Sequence, residues 1–97
     1  MKFISHKPEK NVLSLVRELG YVLKSNQEGE FNCVKTITSM SYPRFHLFIE
    51  EKDNDFLFKL HLDQKKPSYS GNSAHSGEYE GGIIEKEAQR IKQIVEK

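Results

Sequence analysis

The sequence predicts an α+β fold, a two-layer sandwich in which a four-stranded antiparallel sheet (a meander) carries an N-terminal and a C-terminal helix on one face. Two observations support this prediction. The central stretch RFHLFIEEKDNDFLFKLHLD, residues 44–63, alternates apolar and polar residues on either side of a polar turn, which is typical of a β-hairpin. Nearer each end of the chain, apolar residues instead recur with helical spacing. Strands between two terminal helices follow from these patterns.

Each predicted helix has one apolar stripe. The first spans Pro8–Leu19, since proline is tolerated in a first helical turn and Gly20 is suited to end a helix. The second begins near Ile83, and residues 1–7 are predicted to be a short extended lead-in or a frayed tail. The stripes are Val12, Leu15, Val16 and Leu19 in the first helix, and Ile84, Ala88, Ile91 and Val95 in the second.

Four strands are predicted between the helices. Tyr21–Lys24 is the first, and a turn in which Gly29 is available for a positive φ leads to the second, Phe31–Thr38. The hairpin of residues 44–63 supplies the third and fourth. Because short connections favour pairing of consecutive strands, we expect a meander with both helices on its apolar face.

The register of the central hairpin follows from its apolar pattern. A two-residue turn would pair Lys52 with Asp55, and a four-residue turn would pair Glu51 with Phe56, but both give the same register. A slip by one residue would place apolar side chains opposite polar ones. The register is therefore predicted whatever the type of turn.

This register creates the candidate site on the polar face of the hairpin. His46 falls opposite His61, and Arg44 falls opposite Asp63. Directly opposed Cβ atoms lie about 4.5–5.5 Å apart, so these four side chains are predicted to be neighbours. As plain surface pairs they would add less than about 1 kcal/mol each.

Composition limits the classes of function. The 97 residues fit one domain, 1–97, and a net charge of +1 gives no global reason to bind nucleic acid or an anionic membrane. The single cysteine, Cys33, excludes an internal disulfide and a cysteine-rich zinc site. With no apolar run near the length of a membrane span and no signal peptide, we expect a soluble, cytoplasmic protein, either a monomer or a homodimer.

Residues 64–82 form a long loop rich in glycine and serine. A connection of this length without periodicity is usually functional or disordered. It contributes a histidine, His75, and three further candidate ligand-binding residues, Tyr69, Glu78 and Tyr79.

A divalent-metal site is the sharpest hypothesis for the hairpin. His46 and His61 would face one ion across the strands, Asp63 lies on the same face, and His75 would arrive from the loop. Three imidazoles and a carboxylate suit Zn²⁺ or a related metal. No HExxH motif and no cysteine–histidine knuckle accompanies them.

Two other functions use the same face. Paired histidines, with Arg44 or Lys59 holding a phosphate, suit acid–base hydrolysis of a phosphoester. Alternatively, these cations and the aromatic residues Phe48, Tyr69 and Tyr79 suit a non-catalytic module that binds nucleic acid or protein. The order of elements, and nothing else in the chain, is similar to that of double-stranded-RNA-binding domains. That similarity implies RNA as a partner.

Overall fold

The computed structural model describes residues 1–64 and 82–97. Within these ranges the elements are β1 (Lys2–His6), α1 (Val12–Leu19), β2 (Val22–Gln27), β3 (Glu30–Thr36), β4 (Arg44–Lys52), β5 (Asp55–Asp63) and α2 (Gly82–Val95). The strands form a five-stranded antiparallel sheet in the order β1-β5-β4-β3-β2. The predicted α+β class and the meander, which is β2–β5, are confirmed.

The prediction of four strands and of a helix as the first element is wrong. The sequence predicts an extended lead-in or a frayed tail for residues 1–7. Residues 2–6 are extended, but they form an edge strand paired with β5. Phe3 faces inward and stacks on Phe58, with ring centroids 5.1 Å apart. A five-residue stretch has too short a pattern to be recognised alone, and its pairing with β5 supplies the missing stabilisation.

The first helix begins four residues later than predicted. Asn11 is its N-cap, because the side-chain oxygen accepts a 2.8 Å hydrogen bond from the backbone N–H of Ser14. Pro8 therefore lies before the helix rather than in its first turn. At the other end Gly20 adopts a left-handed conformation, φ 89°, and ends the helix as predicted.

The apolar core lies between the sheet and both helices, which share one face of the sheet. The buried positions of β4 and β5 belong to the apolar set that the alternation predicts: Phe45, Leu47, Ile49, Phe56, Phe58 and Leu60. Leu62, the last apolar residue of the alternation, is half-buried against this core. The stripe of α1 and residues Ala88, Ile91 and Val95 of α2 pack against them. We call this the inner face of the sheet and the opposite side the outer face.

A buried polar network joins the two helices at the edge of this core. The Tyr21 hydroxyl donates a 2.6 Å hydrogen bond to Glu87, a carboxylate on α2. Arg90 donates to both oxygens of Glu87, at 2.9 and 2.8 Å, and to the carbonyl oxygen of Leu19 at 2.7 Å. Because every member has a partner, the network fixes α2 against the C-terminal end of α1.

The hairpin has the predicted register. Arg44 pairs with Asp63, His46 with His61 and Lys52 with Asp55, around a two-residue turn. The candidate site therefore lies on the outer face, at the end of the hairpin farthest from its turn.

Candidate functional site on the outer face

His46 is held at both of its ring nitrogens. Nδ1 lies 2.9 Å from Oδ2 of Asp63, and since a carboxylate only accepts, Nδ1 donates. Nε2 lies 2.5 Å from the side-chain oxygen of Asn32, on the neighbouring strand β3. In this arrangement Nε2 donates to the amide oxygen. If the amide of Asn32 is turned so that its NH₂ group faces the ring, Nε2 of a neutral ring accepts a hydrogen bond from it. The ring is thus fixed in either protonation state.

Asp63 is shared between His46 and Arg44. The Nε atom of Arg44 is 3.5 Å from the same carboxylate oxygen, so the predicted pair forms loosely. This Nε is buried and makes no hydrogen bond with the described residues. The guanidinium lies over the ring of Tyr42, 4.6 Å from its centroid, which adds a cation–π contact.

Three rings form a cluster on this face, which we call the ring cluster: His46, Phe48 and His61. His46 stacks on Phe48 with centroids 4.4 Å apart and an interplanar angle of 29°. His61 contacts Phe48 in an edge-on arrangement, with centroids 6.0 Å apart and an interplanar angle of 76°. Phe48 is half-buried and His61 is exposed. Aromatic side chains are thus presented on a sheet face that neither helix covers.

His61 is the accessible imidazole of the pair. Partial burial lowers the pKa of His61 below 6.5, and the nearby His46 adds to this effect. The ring therefore favours its neutral form, which can stack, accept a proton or bind a ligand without an opposing charge.

The cations of the hairpin are mostly paired with carboxylates on the same face. Lys59 contacts Glu30 at 2.9 Å, and this contact raises the pKa of Lys59. Lys52 lies 3.4 Å from Glu50. The outer face is therefore aromatic and close to electrically neutral, and a strong phosphate-binding patch is not formed by these residues.

The predicted metal ligands are only partly brought together. His46 contacts Asp63, but residues 1–64 and 82–97 contain no group of three or more His, Cys, Asp and Glu side chains that could hold a metal ion. Both nitrogens of His46 are also engaged. His75, the fourth predicted ligand, lies outside the described residues, so the metal site as a whole stays a prediction. Tyr69, Glu78 and Tyr79 likewise lie in the part of the chain that is not described.

Sequence reasoning missed two partners of the site. Asn32 orients His46 from β3, and Tyr42 supports Arg44 from the loop before β4. The pairing of β3 with β4 places Asn32 opposite Phe48 and Val34 opposite His46. The facing of β3 could not be read from its mixed pattern, FNCVKTIT, so nothing in the sequence pointed to Asn32.

No protein-family model matches the chain, and neither a curated protein nor a solved structure matches it. In the described ranges neither helix has the length and hydropathy to cross a bilayer. The class to which the chain can be assigned is structural: a small α+β fold with two helices on one face of a five-stranded antiparallel sheet. The added strand β1 also sets it apart from the element order predicted from the sequence.

Proposed function

We propose that the outer face is a non-catalytic binding surface for single-stranded nucleic acid, on which the ring cluster stacks with bases. The observation that supports this proposal most is the arrangement of three aromatic rings in contact on the face of the sheet opposite the two helices. Stacking on such rings contributes about 1–3 kcal/mol per base and depends little on base identity.

Two features of the ring cluster favour this use. His46 is held by Asp63 and Asn32 and stacks on Phe48. Because this ring is already fixed, little conformational entropy is lost when a base binds. His61 is exposed and favours its neutral form, so it can turn to stack without breaking an ion pair.

The charges on this face predict a weak dependence on salt. Lys59 and Arg44 are paired with Glu30 and Asp63. Lys2 of β1, which lies opposite Lys59, is a cation of this face without a carboxylate partner among the described residues. With one or two phosphate contacts, affinity should fall only about three- to sevenfold between about 50 and 200 mM salt. A protein that relied on phosphates would lose far more.

The proposal is tested by fluorescence anisotropy with a labelled single strand of about 12 nucleotides and with its duplex. Single-strand binding is expected to exceed duplex binding, and Phe48→Ala should weaken it about 5- to 150-fold, the equivalent of one stacked base. Ile4→Ala is the matched control, because Ile4 is an exposed apolar residue on the same face outside the cluster. Absence of binding at low salt, or equal losses in the two variants, would refute the proposal.

The His46–Asp63 contact supports a second candidate, acid–base hydrolysis of a phosphoester. A carboxylate on Nδ1 orients an imidazole for proton transfer at Nε2, and His61 lies on the opposite strand. Here Asn32 must move away from Nε2 for the ring to act.

Hydrolysis is tested with bis(p-nitrophenyl) phosphate as the substrate, in the presence of EDTA or of added Zn²⁺. Turnover in EDTA that is lost in Asp63→Asn supports acid–base catalysis, turnover only with Zn²⁺ supports the predicted metal site, and no turnover in either excludes hydrolysis of this substrate.

A further inference from the structure

A cleft of about 530 Å³ opens on the inner side of the sheet, between the start of α1 and the β2–β3 hairpin. This volume is within the roughly 300–1,000 Å³ common for small-molecule sites. The cleft is on the opposite side of the sheet from the ring cluster, because its apolar sheet residues, Leu23, Phe31 and Phe56, face inward.

The cleft exists because α1 is short. Its eight residues span about 12 Å at 1.5 Å per residue, whereas the nine residues of β4 or β5 span about 30 Å. The inner face beyond the first turn of α1 is therefore left open, and Leu23 and Phe31 are only half-buried there. Leu13 of α1, which is 52% exposed, forms part of the wall.

The rim of the cleft is net positive. Two of its charged residues are Lys7 and Lys10, and the third is Glu51. The ammonium of Lys7 is 3.8 Å from the Glu51 carboxylate, which is longer than a hydrogen bond, and it lies over the ring of Phe56 at 5.8 Å from the centroid. Lys10 is hydrogen-bonded to Glu18 of α1. Lys7 is therefore the cation best placed to turn toward an anion in the cleft.

We propose that this cleft binds a small amphipathic carboxylate, whose chain lies against Leu23, Phe31 and Phe56 and whose carboxylate meets Lys7 and Lys10. An apolar floor beneath a net positive rim matches an anion with an apolar tail and does not match a cationic one. The site is distinct from the outer face, so it does not depend on the nucleic-acid proposal.

The test is a pair of titrations followed in ¹H–¹⁵N spectra, one with decanoate and one with decan-1-ol, which has the same chain without the charge. Decanoate is expected to shift the amides of Leu13, Leu23 and Phe31 and to leave those of Phe48 and His61 unchanged. Decan-1-ol should bind about tenfold more weakly, since it lacks the charge-assisted contacts. No shift with decanoate, shifts centred on the outer face, or equal affinity for the two probes would overturn the assignment.

Two surface variants complete the test without disturbing the core. Lys7→Gln combined with Lys10→Gln should weaken decanoate about tenfold and change decan-1-ol by less than about twofold, because only the anion uses the lysines. Lys86→Gln combined with Lys92→Gln, on α2 away from the cleft, is the matched control and should leave both affinities unchanged. Equal decanoate affinities in the two double variants would also overturn the proposal.

Discussion

The two faces of the β4–β5 hairpin are built from the same strands and have opposite properties. On the inner face, Leu47, Phe58 and Leu60 are fully buried in the core that the sheet shares with both helices. On the outer face, His46, Phe48 and His61 contact one another through ring faces and edges, and none of them is buried. A change of one residue along a strand thus moves a side chain from the core to the candidate site.

The buried side chains of the hairpin stabilise the fold, whereas the ring cluster is accessible to a ligand. The inner face loses apolar area from water on folding, which is the main favourable term in stability. The outer face gains mainly ring contacts, worth about 0.5–1.5 kcal/mol each, and ion pairs, worth about 1 kcal/mol or less each. Core residues of the hairpin and residues of the ring cluster are therefore expected to respond differently to mutation, with stability affected in the core and nucleic-acid binding affected in the cluster.

The largest expected effect is the loss of a core ring. Phe58→Ala should lower the free energy of unfolding by about 3–5 kcal/mol, because it leaves a cavity where a fully buried ring contacts Phe3 and Phe56. The outer-face counterpart, Phe48→Ala, should cost less, about 1–2.5 kcal/mol, because Phe48 is only half-buried. Urea unfolding midpoints of the two variants measure the difference, and equal losses would show that the faces are not distinct.

The next largest effect on stability is expected in the polar network of Tyr21, Glu87 and Arg90. Glu87→Ala should cost about 2–3 kcal/mol, since it leaves the buried hydroxyl of Tyr21 and the guanidinium of Arg90 without their shared acceptor. Glu85→Ala, an exposed acid on the same helix, is the control and should change the midpoint little. If both variants unfold at the same urea concentration, the network does not stabilise the packing of α2.

The pH dependence of stability tests whether the thiol of Cys33 is buried in the core. Burial raises the pKa of Cys33 from 9.0 to about 12, so the folded state keeps the proton that the unfolded state loses. Stability from this group is therefore complete below about pH 9 and is lost as the pH rises toward 12. Between about pH 10 and 11, wild type should lose about 1.4 kcal/mol per pH unit more than Cys33→Ala. Parallel stability curves for the two proteins would mean that the thiol is open to water.

The smallest effect is electrostatic and lies on the outer face. Because the pKa of His61 is lowered by partial burial, its imidazole resonances should titrate below pH 6.5. The folded state then disfavours the charged form, so this group's contribution to stability is present above pH 6.5 and declines as the pH falls through the lowered value. In Phe48→Ala the ring loses its apolar neighbour, and its titration should move back toward 6.5. An unchanged titration in that variant would show that Phe48 does not desolvate His61.

The same contrast explains how much the sequence could predict. The inner face has a strict period of two, and this pattern alone gave the register and hence the pairs His46–His61 and Arg44–Asp63. The outer face is specified by contacts between strands that have no signature of their own. Asn32 reached His46 only because β3 lies beside β4, and β1 became a strand only by pairing with β5. The start of α1 was set by a local cap at Asn11 that competed with the proline signal.

We infer that nucleic acid binds to the ring cluster on the outer face, whereas the buried core of the inner face stabilises the fold. The most direct test of this inference is a ¹H–¹⁵N titration of the protein with an unlabelled single strand of about 12 nucleotides. We expect shifts at Asn32, His46, Phe48 and His61, with the amides of the α1 stripe and of Phe58 unchanged. Shifts concentrated on the helices, or none at strand concentrations well above that of the protein, would contradict this inference.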